Sequence, residues 1–256
     1  MNRLVPFRKL SLLVVLTSAL IITACNQTEP KTTVDTDFKE SMSDLTSFQS
    51  ISLTEINKQI IREAFDSMKV LQDKLQNHPS PTWVVDKEDV KISLSEFVLA
   101  RKNRDLIYAL NQVQEIPSDA VLLQEMVITQ LTANYAKQSG TVVSPEEVRE
   151  AIDFQKAALN EADPNDENHR LILYIMENRI RISDKTEEEF WSSDEVYQGY
   201  ETSLYKSKLI ESILSDESMK GMDSYYELQE KLFNDFQKTH PIQVPDLDEL
   251  SKKANL

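Results

Sequence analysis

The scarcity of glycine constrains the fold of this chain more than any other feature. Only Gly140, Gly199 and Gly221 occur among 256 residues, whereas glycine makes up about 7% of an average protein. Phosphate-binding loops, nucleophile elbows and tight β-hairpins depend on glycine, because they need a positive φ or a close backbone approach. Leu, Ile, Glu, Lys and Gln are abundant and favour helices. The composition predicts an all-α protein and disfavours an enzyme.

Five short segments match the capping box that begins many helices. In this motif a Ser or Thr side chain accepts from the N3 backbone amide, and the N3 glutamate accepts from the cap amide. Ser144 is the clearest case, because Pro145 at the first helical position has no amide to leave unsatisfied. The last two segments lie close together, and we expect at most one of them to begin a helix. The segments are Ser52–Glu55, Ser93–Glu96, Ser144–Glu147, Thr186–Glu189 and Ser192–Glu195.

Apolar side chains recur at intervals of three, four and seven, which places each set on one helix face. His78–Pro81 predicts the end of the first helix and Ile116–Pro117 the end of the second. Ser139–Gly140 predicts the end of the third, with Gly140 at C′. We predict six or seven helices. The apolar sets are Ile56, Ile60, Ala64, Met68, Leu71, Leu75; Leu123, Val127, Leu131, Tyr135; Val148, Ile152, Leu159; Leu171, Ile175; Tyr197, Tyr200, Leu204; and Tyr225, Leu228, Leu232, Phe236.

Two segments depart from the helical pattern. Residues Trp83–Ile92 are rich in β-prone side chains, and Ile242–Val244 alternates between two prolines. Together they predict a minor sheet of two or three strands that ties the start of the folded region to its end.

The N-terminus has the pattern of an export signal. Arg3, Arg8 and Lys9 precede an apolar run that ends in Ala24–Cys25, and this run is too short to cross a bilayer. A cysteine directly after small residues resembles the bacterial lipobox, which implies cleavage before Cys25 and its lipidation. Two acyl chains would then hold the protein stably at the membrane. The alternative is a plain secretory signal.

This interpretation divides the chain into three parts. Residues 1–24 form a lipoprotein signal peptide, and residues 25–47 a flexible tether that is polar and without periodicity. Residues 48–256 form one helical domain. The expected location is the extracytoplasmic face of the cell membrane.

Charge narrows the class of partner. The chain has 28 basic and 43 acidic residues. The signal segment contains three of the basic and none of the acidic ones, so the mature chain has a net charge of −18. Such a surface repels phosphate backbones, and we therefore expect no nucleic-acid partner. It also repels anionic headgroups, which leaves the lipid on Cys25 as the membrane contact. Cys25 is the only cysteine, so a lipidated chain forms no disulfide.

From Trp83 onward, the motifs are similar to those of the N-terminal chaperone domain of SurA/PrsA-type foldases. In that family a short strand pair leads into a helix through an isoleucine, a Ser or Thr cap and an acidic–Phe pair; here the matching run is Ile92–Phe97. The run Leu131–Val148 resembles the next helix end and helix start, and Leu228–Val244 the closing helix and strand. The strand pair lacks the usual Asn-Gly turn. The parvulin isomerase domain is missing, because Ser183–Glu227 is too short for it and has no histidine.

The resemblance implies binding of unfolded polypeptides, for which aromatic side chains offer large contact areas. The candidate client-binding residues are Trp191, Tyr197, Tyr200 and Tyr205, next to Phe190; the alternative is that they form helix core. We expect no metal and no cofactor. His78, His169 and His240 are scattered, and Asp216–Glu227 resembles a calcium loop only in part, because Lys220 takes a ligand position.

The sequence thus predicts a lipid-anchored, extracytoplasmic chaperone-like protein that binds unfolded or exported polypeptides and has no isomerase activity. The alternative is a cell-envelope or spore-associated structural lipoprotein that binds one dedicated partner. A promiscuous binder would expose Met and aromatic side chains on an adaptable surface, whereas a dedicated binder would present a single flat patch.

Overall fold

A computed structural model of the protein describes residues 51–76, 82–87, 89–161, 163, 165–216, 219 and 221–242. The signal segment 1–24, the tether 25–47, Cys25, His78–Pro81 and Val244 lie outside these residues. The described elements are helices and one two-stranded sheet, which confirms the predicted fold class. In chain order they are α1 (Glu55–Gln76), β1 (Trp83–Lys87), β2 (Val90–Ser93), α2 (Leu94–Leu110), α3 (Asp119–Gln138), α4 (Pro145–Glu161), α5 (Glu167–Ile182), α6 (Glu187–Trp191), α7 (Asp194–Ser215) and α8 (Met222–Thr239).

Local capping signals set most of the helix starts. Ser93 and Thr186 form complete capping boxes at α2 and α6, and Ser144 exchanges the same two hydrogen bonds with Glu147 at α4. The first helix starts two residues later than predicted, because Thr54, not Ser52, accepts from the Asn57 amide at 3.1 Å. These three boxes are confirmed and the first is shifted.

The prediction that at most one of the last two segments begins a helix is wrong. Thr186 begins the five-residue α6, and α7 begins directly after it with Ser193, not Ser192, as its cap. The two caps lie seven residues apart, which leaves room for one short helix between them. The described residues therefore contain one helix more than the upper prediction of seven.

α2 and α3 end with the same backbone conformation, but only the end of α3 has a glycine at this position. At α3, Gly140 has φ of +90°, its amide donates to Lys137 O, and the Thr141 amide donates to Ala136 O, as predicted. α2 ends at Leu110, well before Pro117. There Gln112 takes the left-handed conformation at φ of +56° and closes the helix with the same pair of hydrogen bonds. A glutamine at C′ carries no sequence signal.

The predicted strands pair as an antiparallel hairpin in which Val85 lies opposite Ile92 and Lys87 opposite Val90. α3 supplies hydrogen bonds to the outer edge of β2. The side-chain amide of Gln130 accepts from the Lys91 backbone N–H at 2.9 Å and donates to the Lys91 carbonyl oxygen at 2.8 Å. Ile242 packs against the same cluster as the hairpin. The end of the described fold thus returns to the hairpin, whereas its first helix, α1, belongs to a different cluster.

Four clusters of buried side chains form the core. The hairpin cluster joins β1, β2, α2, α3 and α8; the aromatic cluster joins α4 to α7; the α1 cluster joins α1, α2 and α5; and the α7–α8 cluster joins α3, α7 and α8. Their buried members are respectively Val85, Val90, Ile92, Phe97, Ala100, Leu122, Leu123, Val127, Ile128, Phe233, Phe236; Val143, Val148, Ile152, Leu159, Met176, Phe190, Trp191, Val196, Tyr200; Ile51, Ile61, Phe65, Met68, Leu106, Leu110, Leu171, Ile175, Ile182; and Ala136, Leu209, Ile213, Tyr225.

The predicted apolar face of α1 needs a correction. Ile56 is 72% exposed, whereas Ile61, Phe65 and Met68 are fully buried. The buried face of α1 is therefore rotated about the helix axis, by about one residue, relative to the predicted face. The reason is that α1 packs on α2 and α5. None of the described helices is both long enough and apolar enough to cross a membrane.

Candidate functional site

The predicted client-binding aromatics lie on α6 and α7, and the capping residues place them there. Thr186 fixes α6, which ends with Phe190 and Trp191, and Ser193 fixes the start of α7, which carries Tyr197, Tyr200 and Tyr205. The two helices follow each other directly. All five aromatics belong to or border the aromatic cluster.

Trp191 and Tyr200 are core residues. Only 6% of Trp191 and 5% of Tyr200 are exposed, and the Trp191 ring meets Phe190 edge-on, with ring centroids 5.6 Å apart. In this conformation neither side chain can contact a client. The expectation that these two residues grip polypeptides is therefore corrected, and the alternative of helix core applies to them. Burial is the lowest-energy use of such large apolar surfaces.

Tyr197 and Tyr205 are half-buried and border the aromatic cluster. The Lys137 ammonium lies 4.7 Å from the centroid of the Tyr205 ring and 3.3 Å from a carboxylate oxygen of Glu201. These contacts connect α3 to α7 at the surface. Of the four predicted residues, Tyr197 and Tyr205 are the two that retain exposed area.

Two polar groups, the Arg179 guanidinium and the Tyr200 hydroxyl, lie at the aromatic cluster. The Arg179 guanidinium lies 5.9 Å from the centroid of the Phe190 ring, and among the described residues it has no ion pair. The Tyr200 hydroxyl is buried, and within the described residues it has no hydrogen-bond partner. Burial raises the pKa of the Tyr200 phenol well above its usual value, so the group stays neutral at physiological pH.

Lys206 was not expected from the sequence to be buried. It lies on α7 and is 7% exposed, and the described part of the chain offers it no ion pair or hydrogen bond. Burial lowers the pKa of its ammonium to about 8. The signal that could have found it is the helical spacing from Ser203 and Leu209, which are both buried.

A depression of about 390 Å³ lies on the surface between α1 and α5. It is lined by Arg62, Tyr174, Glu177, Asn178 and Arg181. Arg181 donates to Asn178 at 3.1 Å and pairs with Asp66 of α1 at 2.7 Å. No sequence pattern indicates this depression, because its residues come from two helices far apart in the chain.

Exposed large apolar side chains come from several different elements of the described structure. Two are on α1, one on β1, one on α4 and one on α7, and three are in loops. They are Ile56, Val70, Trp83, Phe154, Leu214, Ile116, Val142 and Met219. Single exposed apolar residues are ordinary on protein surfaces.

Two of the three histidines, His169 and His240, lie within the described residues. His169 is buried on α5, and the His240 ring stacks on Phe236 with centroids 5.0 Å apart. The described residues bring together no group of three or more His, Cys, Asp or Glu side chains that could hold a metal ion.

Comparisons of the chain with protein-family models, curated proteins and solved structures gave no significant match.

Proposed function

We propose that the protein is a lipid-anchored, extracytoplasmic chaperone-like protein that binds unfolded or newly exported polypeptides without isomerase activity. The observation that carries this proposal is the return of the last described helix to the hairpin. Phe233 and Phe236 of α8 share one cluster with Val85 and Ile92 of the hairpin. This arrangement fits the order of elements on which the resemblance to the foldase chaperone domain rests, in which a strand pair and a closing helix frame the domain.

A second candidate function is binding of one dedicated partner in the cell envelope or the spore. The burial of Trp191 and Tyr200 favours it, because a promiscuous binder is expected to expose aromatic side chains on an adaptable surface. One assay separates the two functions.

The proposed chaperone should suppress aggregation of unrelated unfolded proteins. We expect the full chain with Cys25→Ser, purified without lipid, to slow aggregation of reduced insulin and of a heat-unfolded enzyme at near-stoichiometric ratios. Because apolar contact supplies the binding energy, the effect should persist in 0.5 M salt, where the screening length is about 4 Å. Light scattering measures both.

The variants Tyr197→Ala and Tyr205→Ala test whether the two aromatics that keep exposed area contribute to this suppression of aggregation. Phe154→Ala, which removes an exposed aromatic of α4, is the matched control. Failure to protect any of several clients would refute the chaperone proposal and favour the dedicated partner. Protection that disappears in salt would indicate capture by charge.

The anchor is tested independently of the clients. We expect the mature protein to begin at an acylated Cys25 and to remain in the membrane fraction after a high-salt wash, because two acyl chains bind membranes stably. Cys25→Ser should move the protein out of the membrane fraction or leave it uncleaved. Mass spectrometry of the purified mature protein decides: an N-terminus upstream of Cys25, or the absence of an acyl mass, contradicts the proposal.

A further inference from the structure

α1 contributes to one core cluster and to none of the other three. Its buried side chains Ile61, Phe65 and Met68 all belong to the α1 cluster. The hairpin, aromatic and α7–α8 clusters contain no side chain from this helix. Three of the four core clusters, which join the elements from Trp83 onward, therefore form without α1, and only α2 and α5 bury core side chains against it.

The surface beneath α1 is an apolar groove between α2 and α5. α1 packs mainly on these two helices. Three of its side chains, at positions i, i+4 and i+7, fill the groove, and the exposed fraction of each is 2% or less. The groove side chains are Leu106, Leu110, Leu171, Ile175 and Ile182. This is the geometry of an amphipathic helix bound in a groove.

Two ion pairs border the groove. Asp66 of α1 lies 2.7 Å from Arg181, and Lys69 lies 2.6 Å from Asp184. All four side chains keep contact with solvent, and exposed ion pairs add little net stability. Along the chain, α1 presents an acid followed by a base, and the end of α5 presents a base followed by an acid. Each charge of α1 therefore meets the opposite charge. The apolar side chains hold α1, and the ion pairs fix its orientation and register.

We propose that the groove between α2 and α5 is the polypeptide-binding surface, and that α1 is an internal occupant which a helical segment of the client displaces. The client segment is an amphipathic helix with apolar side chains at i, i+4 and i+7 and an acid and a base following the last two. This inference rests on the proposed function and names its surface. When α1 leaves, five apolar side chains become accessible in one place, whereas the exposed apolar residues of the described surface lie on separate elements.

A peptide of residues 51–76 with an N-terminal fluorophore is the probe, because its sequence is known to fit the groove. The protein is the full chain with Cys25→Ser, alone or with a second change in α1. Ile61→Asp places an unpaired carboxylate in the α1 cluster and should release α1. Ile56→Asp makes the same change on the exposed face of the same helix and is the matched control.

Fluorescence anisotropy should show at least tenfold tighter peptide binding to the Ile61→Asp chain than to the chain with Ile56→Asp or the parent. The same peptide with Phe65→Asp should bind none of them. Equal affinity of the probe for Ile61→Asp and Ile56→Asp chains overturns the inference. Hydrogen exchange of the parent chain is a second measurement that needs no core substitution. Amides of α1 should exchange at least tenfold faster than those of α3, and equal rates also overturn it.

A covalent lock separates this inference from the proposed function. Asp66→Cys and Arg181→Cys, in the Cys25→Ser chain, are joined by a short bismaleimide, which holds α1 on α5. The locked chain should lose peptide binding and suppression of aggregation, whereas the same chain without cross-linker should keep both. Suppression by the locked chain overturns the groove and leaves the proposed function standing. Peptide binding by the unlocked chain without suppression of any client supports the groove and refutes the chaperone function.

Discussion

Trp191→Ala is expected to lower the free energy of unfolding by about 3–5 kcal/mol, the usual cost of removing a large aromatic side chain from a packed core. Trp191 is almost fully buried in the aromatic cluster and meets the Phe190 ring edge-on. The truncation therefore removes apolar burial, one aromatic pair and the packing around the end of α6. Urea or guanidinium denaturation followed by circular dichroism measures the change.

Phe154→Ala is the matched control for this experiment. Phe154 is also an aromatic residue of the α4–α7 region but is 57% exposed on α4. Its truncation should change the free energy of unfolding by no more than about 0.5 kcal/mol, as is usual for surface substitutions. If Trp191→Ala leaves the denaturation midpoint unchanged and instead abolishes suppression of aggregation, Trp191 contacts clients and its placement in the core is wrong.

Features encoded by a few neighbouring residues could be predicted from the sequence. The capping boxes at Ser93, Ser144 and Thr186 depend on two side chains three residues apart, and the structure forms all three. The end of α3 at Gly140 and the strands within Trp83–Ile92 were predicted for the same reason. Each needs only local backbone preference.

Features set by other parts of the chain could not be predicted. Periodicity shows that α1 has an apolar face, but the groove between α2 and α5 decides that Ile61 and not Ile56 is buried. The early end of α2 depends on Gln112 at a positive φ, which no sequence rule for glutamine indicates. The candidate aromatics were identified by type, and their type does not distinguish a core position from an exposed one.

The burial of Lys206 is the largest departure from the sequence expectation, and it has a measurable consequence. Burial lowers the pKa of its ammonium in the folded protein from the usual 10.5 to about 8. At about 1.4 kcal/mol per pKa unit, the charged side chain costs the folded state about 3 kcal/mol at neutral pH. Lys206→Met keeps the length of the side chain and removes the charge. We therefore expect it to raise the free energy of unfolding at pH 7 by about 1–3 kcal/mol, and the melting temperature by several degrees.

The pH dependence of stability should show the same group. Between about pH 8 and 10.5 the unfolded chain keeps a proton on Lys206 that the folded chain has lost, so stability increases with pH in this window. Burial raises the folded-state pKa values of Tyr200 and Tyr225 above the usual value of 10. Above pH 10 the unfolded chain loses phenolic protons that the folded chain keeps, so stability then decreases. The unmodified protein should be most stable near pH 9–10.

Lys206→Met should remove the rise between pH 8 and 10 and leave the fall above pH 10 unchanged, because Tyr200 and Tyr225 are still present. Lys231→Met is the matched control: Lys231 is exposed on α8, and its replacement should preserve both limbs of the profile and change stability by less than about 0.5 kcal/mol. Chemical denaturation at fixed pH values from 6 to 11 measures both profiles. A Lys206→Met protein that is less stable than the parent at pH 7, with the alkaline rise intact, would show that the ammonium reaches water or a partner in the folded state.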